Sequence, residues 1–192
     1  MLLRGKLLRV TDAFAEFGVE RRPWLDPAAL QSRYHELAAV RHPDKCGGNP
    51  SPLSRLNEAR RILASPPLRL RHLLSLATSR GTPTGKFHPD FEMFSHVGTL
   101  AKKAEELSGK NASPALAAAV AKAGAASLQT EISATLDRIQ LQIRTLEEKI
   151  RSLDAVWPDV DPHSLSAVAE EFSYLKKWRD SLLSARTRLL GG

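Results

Sequence analysis

A His-Pro-Asp triple at His42, Pro43 and Asp44 places an imidazole and a carboxylate two residues apart. Because Pro43 restricts the residue before it to extended conformations, a helix running up to the triple has to end near Arg41. The triple is therefore expected to form a rigid, exposed tip. Its side chains are suited to binding a partner, with the carboxylate accepting a charge-assisted hydrogen bond.

The remaining reactive residues form no catalytic constellation. The sequence has no Gly-rich phosphate loop, and its six histidines include no closely spaced pair of metal ligands. The single cysteine, Cys46, rules out an internal disulfide and a cysteine-based zinc site, and a free thiol fits a reducing compartment. We therefore predict a binding protein rather than an enzyme, without metal or cofactor, in the cytoplasm or alternatively the mitochondrial matrix.

Two amphipathic helices are predicted to hold the tip. The first begins at Asp26-Pro27, a good cap followed by a residue that suits the first helical turn. Its apolar face comprises Leu30, Tyr34, Leu37 and Ala38, at helical spacing. After a Gly-rich loop that cannot be helical, a second helix begins at Ser51-Pro52, with an apolar stripe at Leu53, Leu56, Ala59 and Leu63.

This context resembles the J domain of DnaJ-type co-chaperones. The resemblance covers roughly residues 12 to 76 and rests on Tyr34, Leu37, Ala38, His42, Pro43, Asp44 and Lys45. A second triple, His88-Pro89-Asp90, lacks the preceding helix and is predicted to lead into a helix N-terminus. The run from Leu56 to Leu76, which closes on Leu-Leu-Ser-Leu, is similar to the end of the J domain in HscB-type co-chaperones.

The resemblance implies a mechanism and a set of binding residues. A J domain docks onto the ATP state of a DnaK-type chaperone of the 70-kDa heat-shock class and favours ATP hydrolysis by that partner, so this chain is expected to bind no nucleotide. Asp44 would accept a hydrogen bond from a chaperone arginine, and His42 and Pro43 would complete the contact. A positive surface around the tip would come from Arg33, Arg41 and Lys45.

The sequence departs from the family pattern in both predicted domains. His35 and Glu36 stand where DnaJ proteins often carry basic residues, and Arg41 stands where an aromatic residue is frequent. In the second domain, Met93 fits the face with which HscB-type proteins hold the iron–sulfur scaffold protein. Five neighbouring positions do not reproduce the Leu/Glu pattern of that face: Glu92, His96, Val97, Leu100 and Ala104.

The excess positive charge lies in the first part of the chain. Residues 1–80 contain 14 Lys/Arg and 7 Asp/Glu, whereas residues 81–192 contain 14 of each, so the first part carries the whole net charge of +7. The partner of this part is expected to present an acidic surface. Nucleic acid is not the expected partner, because aromatic residues are not interleaved with the arginines as a stacking platform requires.

The chain is predicted to be all-α, since no long alternation of apolar and polar residues indicates a strand. The expected organisation is a tail (1–10), a J domain (11–78), a linker (79–90) and a helical client-binding domain (91–190), without a membrane span. A heptad seam between Ile132 and Leu153 and a last helix from Asp161-Pro162 predict an antiparallel hairpin, joined by a third helix from Phe91 to Leu107. A homodimeric coiled coil is the competing interpretation of the seam.

An apolar strip on the Phe91 to Leu107 helix is predicted to stay exposed and bind the client. Its candidate residues are Phe91, Met93, Phe94 and Val97. Three functional classes remain open at this point: an HscB-like co-chaperone whose client is the iron–sulfur scaffold, a J protein with an unrelated client, and a basic helical nucleic-acid-binding protein.

Overall fold

A computed structural model describes residues 12–42, 51–77, 87, 89–108 and 115–190, with side chains from 122 onward in the last range. The described residues form seven α-helices and no strand, so the prediction of an all-α fold is confirmed. Within the same ranges, no helix is long and apolar enough to cross a membrane. The helices are α1 (Ala13–Phe17), α2 (Pro27–Val40), α3 (Ser51–Leu63), α4 (Pro66–Ala77), α5 (Phe91–Ser108), α6 (Ala115–Ala155) and α7 (Pro162–Leu190).

Local capping residues set the helix starts. Asp12, Asp26 and Asp161 each accept two backbone N–H groups in the first turns of α1, α2 and α7. Asp90 accepts the N–H of Met93 at 3.0 Å. Pro89 and Asp90 of the second triple thus lead into α5, as predicted, whereas His88 lies outside the described residues. Gly18 ends α1 at φ 64°, in the left-handed region that glycine enters without a Cβ clash.

The structure fixes where α4 and α6 begin. Pro66 and Pro67 form the first turn of α4, where a proline loses no intrahelical hydrogen bond. The Ala-rich segment that precedes the seam is helical from Ala115, as the start of the 41-residue α6.

The chain forms two compact units. The first comprises Met1–Lys86 and Lys149–Ala169, and the second comprises Phe87–Glu148 and Glu170–Gly192. The core of the first unit is built from α1 to α4, with Phe14, Phe17, Leu56 and Leu63 fully buried. On the predicted stripe of α2 only Leu30 is buried, whereas Tyr34, Leu37 and Ala38 pack against the core while remaining partly exposed.

The end of α6 and the segment after it belong to this first unit. The Asp154 carboxylate, only 10% exposed, accepts hydrogen bonds from Arg22 at 2.7 and 3.3 Å and from the Trp24 backbone N–H at 3.1 Å. The Arg151 guanidinium lies 4.3 Å from the centroid of the Trp24 ring, and Trp157 packs against the core. Nothing in the sequence pattern indicates this attachment.

The second unit contains α5 together with most of α6 and α7. Buried residues on the three helices are Met93, Val97, Leu100 and Ala104; Leu128, Ile132, Ile139, Ile143 and Leu146; and Phe172, Leu175, Trp178, Leu182 and Ala185. The seam is thus buried within the chain at most predicted positions, although Leu136 and Leu153 are only half-buried. Thr135 is buried beside it, and its hydroxyl lies 3.2 Å from His96 Nε2.

His72 on α4 is a pH-sensitive contact in the first unit. Its Nε2 accepts the backbone N–H of Ala13 at 2.9 Å, and its ring stacks on Phe14 with centroids 5.9 Å apart. Burial lowers the pKa of His72, the Asp12 carboxylate opposes this shift, and Arg21 adds to it. The hydrogen bond from Ala13 requires a neutral His72 ring, because a protonated Nε2 cannot accept it.

We expect stability to fall as the pH drops below about 6.5, the ordinary pKa of an unfolded histidine. The pKa of His72 is lower in the folded chain, so the unfolded chain binds the proton first as the pH falls. The stability that the His72 contact contributes is therefore fully present above about pH 6.5. It is lost as the pH falls through the pKa of His72 in the folded chain. Thermal unfolding followed by circular dichroism at about pH 7 and about pH 5 should show a larger loss of Tm for the wild type than for His72→Gln. Equal losses would contradict this role of His72.

Candidate functional site

Helix α2 leads directly into the His-Pro-Asp triple, which was predicted to form the tip. The last bond of the helix runs from the Arg41 N–H to the Leu37 carbonyl at 3.0 Å, and Arg41 leaves helical geometry at φ −94° and ψ 13°. His42 follows and is exposed to solvent. The other residues predicted at the tip, Pro43, Asp44 and Lys45, lie outside the described residues. The structure thus places the first residue of the triple at the exposed end of α2.

Polar contacts fix α2 against α3. The Tyr34 hydroxyl donates to Asn57 Oδ1 at 2.8 Å, and the Arg60 guanidinium lies 4.2 Å from the centroid of the Tyr34 ring. Arg60 also donates to Gln31 Oε1 at 2.8 Å. These side chains lie beside the apolar stripes, where they join the two helices that flank the tip.

Arg33 and Arg41, both predicted to supply positive surface, make contacts with α1. Arg33 donates to the Phe17 carbonyl at 3.2 Å and to Glu36 Oε2 at 3.0 Å. Arg41 pairs with the Glu16 carboxylate and donates to the Glu16 carbonyl at 3.1 Å. Their charges are therefore balanced by neighbouring carboxylates. The exposed positions on α2 carry one charge, on Glu36; they are Pro27, Ala28, Ala29, Gln31, Ser32, His35, Glu36, Ala39 and Val40.

The predicted apolar strip on α5 divides into buried and exposed residues. Met93 and Val97 are 3% and 4% exposed, so the expectation that they remain accessible is wrong. They occupy the buried face of α5 together with Leu100 and Ala104, at steps of four, three and four residues, which keeps all four on one side of a helix. Phe91 and Phe94 are 77% and 55% exposed, and their ring centroids lie 6.4 Å apart.

Sequence reasoning missed Glu16 and Asp154, two acidic residues that join elements far apart in the chain. Neither belongs to a motif, and the partner of Asp154 lies 132 residues away in sequence. In the part of the chain that the structure describes, no group of three or more acidic, histidine or cysteine residues could hold a metal ion.

Comparison with known proteins identifies a sequence relative. The chain is 39% identical over 74 residues to the co-chaperone protein HscB homolog of Aromatoleum aromaticum, a match that covers 34% of this chain and 42% of the relative. The similarity thus spans less than half the length of that relative. No protein-family model matches the chain.

A solved structure extends the similarity to the fold. The chaperone HscB from Vibrio cholerae superposes with a TM-score of 0.51 and 17% identity, and the alignment covers 93% of this chain and 99% of that protein. At this identity the comparison establishes the fold. Together with the sequence match, it confirms the predicted resemblance to HscB-type co-chaperones.

Proposed function

We propose that this HscB-like chain is a J-domain co-chaperone of a DnaK-type chaperone and that its second helical domain delivers a client. The observation that carries the proposal is the exposed His42 at the end of α2, as the first residue of a His-Pro-Asp triple in a chain with the HscB fold. The J domain is assigned to residues 11–78 and the client-binding domain to residues 91–190.

The tip is proposed to act by binding. Asp44 accepts a charge-assisted hydrogen bond from an arginine of the ATP-bound chaperone, with His42, Pro43 and Lys45 around it. Docking stabilises the hydrolysis-competent state of the chaperone, so the partner holds and cleaves the nucleotide. The co-chaperone itself needs no cofactor and performs no bond-breaking step.

Single-turnover hydrolysis by a preformed complex of a DnaK-type chaperone with ATP tests the proposal. Addition of the full chain should accelerate hydrolysis in a saturable manner, and the acceleration should weaken at higher salt because the first part of the chain carries the excess positive charge. Hydrolysis at the unstimulated rate across a panel of such chaperones would refute the J-domain assignment.

The client is proposed to dock on Phe91 and Phe94, because an exposed pair of aromatic rings supplies the apolar anchors that protein interfaces use. The iron–sulfur cluster assembly scaffold is the proposed client, in line with the HscB-type resemblance. A J protein with another client would lack affinity for that scaffold protein, as a binding titration would show.

Replacing both exposed rings, Phe91→Ser with Phe94→Ser, is expected to weaken scaffold binding by roughly tenfold or more while leaving Tm nearly unchanged. The matched control is Met93→Ser on the same helix, which removes a buried side chain and should lower Tm. Isothermal titration and thermal unfolding measure the two effects. Unchanged affinity in the double variant would exclude the aromatic pair as the docking site.

A further inference from the structure

An ion pair lies directly behind the tip, at the position where J domains frequently carry an aromatic residue. Arg41 immediately precedes His42, and its guanidinium binds both the side-chain carboxylate and the backbone carbonyl of Glu16 on α1. The side chains of Arg41 and Glu16 are 25% and 20% exposed. The pair is therefore screened by solvent less than an ordinary surface salt bridge.

The Glu16 carboxylate also reaches α3. Its Oε2 lies 3.7 Å from Nε of Arg55, and Arg55 in turn donates to the hydroxyl of Ser51, the first residue of α3, at 3.3 Å. Arg41 closes α2 and Ser51 opens α3. One carboxylate thus contacts cations beside both helix ends that flank tip residues 43–50.

Glu16 is itself held in place by its neighbours in α1. Phe14 and Phe17, on either side of it in sequence, are fully buried in the core of the first unit. The Glu16 backbone N–H bonds to the Asp12 carbonyl at 3.1 Å within the capped helix. The carboxylate therefore projects from a fixed support, which lets it orient the groups bound to it.

We propose that Glu16 is a positioning residue for the tip. It fixes the end of α2 relative to the start of α3 and thereby sets the direction in which His42 is presented to the chaperone. In this arrangement Arg41 acts through Glu16 and does not itself contact the chaperone. The inference rests on the proposed function of the tip as a chaperone-binding element.

The test compares Glu16→Gln with Glu58→Gln, which removes the same charge from an ion pair within α3, between Glu58 and Arg61 at 2.6 Å. Glu16→Gln should raise the concentration needed for half-maximal ATPase stimulation by roughly five- to tenfold, and Glu58→Gln should leave it unchanged. Equal behaviour of the two variants would overturn the proposal.

A double variant separates positioning from direct contact. Glu16→Leu with Arg41→Tyr replaces the ion pair by an apolar pair, a substitution that keeps packing without either charge. Because packing between positions 16 and 41 is restored, the double variant should stimulate ATP hydrolysis to within about twofold of wild type. Arg41→Tyr alone should stimulate less than the double variant. Failure of the double variant to recover, with Tm at the wild-type value, would assign Arg41 to direct contact.

A measurement on the isolated chain keeps the inference testable if no chaperone responds to the wild type. The backbone amide and ring resonances of His42 in a heteronuclear NMR spectrum should shift in Glu16→Gln and stay in place in Glu58→Gln. Unchanged His42 resonances in both variants would refute the positioning role. If the His42 resonances shift in Glu16→Gln while the wild type stimulates no chaperone, the chaperone partnership is refuted and the positioning role of Glu16 stands.

Discussion

His42→Gln is expected to reduce chaperone-stimulated ATP hydrolysis to within about twofold of the chaperone alone, since the tip loses one of its two specific side chains. The effect should arise without unfolding, because His42 is exposed and lies beyond the last residue of α2. Asp44→Asn should have the same effect by removing the charged acceptor. Single-turnover kinetics and a circular dichroism spectrum of each variant measure the two properties.

The second triple provides the matched control. His88→Gln changes the same residue in the same three-residue motif, but that motif leads into the start of α5 through Asp90. It should leave stimulation at the wild-type level. If His42→Gln stimulated as well as His88→Gln, the chain would not act as a J-domain protein.

Ile143→Ala is expected to lower the free energy of unfolding by roughly 2–5 kcal/mol, the usual cost of emptying a core position. Ile143 is 4% exposed and lies in the buried seam of α6, so the truncation removes apolar contacts and leaves a cavity. Urea denaturation followed by circular dichroism gives the change in unfolding free energy. The loss should not depend on protein concentration, because the seam is buried within one chain.

Leu141→Ala, two residues away on the same helix, is the control. Leu141 is 65% exposed, so its truncation should change the free energy of unfolding by no more than about 0.5 kcal/mol. Similar losses for both variants, or a dependence of the Ile143→Ala loss on concentration, would favour the homodimeric coiled coil over the intramolecular bundle.

Features that depend on neighbours in sequence were determined by the sequence itself. The starts of α2 and α7 follow from Asp26-Pro27 and Asp161-Pro162, because a cap side chain satisfies backbone N–H groups only two or three residues away. The burial of Ile139 and Ile143 follows from the heptad spacing. The all-α class follows from the same local signals.

The partners of charged and aromatic side chains were decided by the tertiary structure. Helical periodicity predicts which face of α5 is apolar, but it does not determine how much of that face is buried. Met93 is buried, whereas its neighbour Phe94 is exposed. Arg41 binds Glu16 instead of extending the positive surface of the tip, because α1 places a carboxylate within its reach.

The contacts of Asp154 with Arg22 and Trp24 also depend on tertiary packing, and they join residues much farther apart in sequence. A salt bridge depends on the spatial distance between two groups, and the sequence of either segment contains no information about a partner more than a hundred residues away. The local chemistry of the chain thus specified its helices and the motif at its tip. Long-range packing decided which acidic residues join α1 to α2 and which join segment 149–155 to the other parts of the first unit.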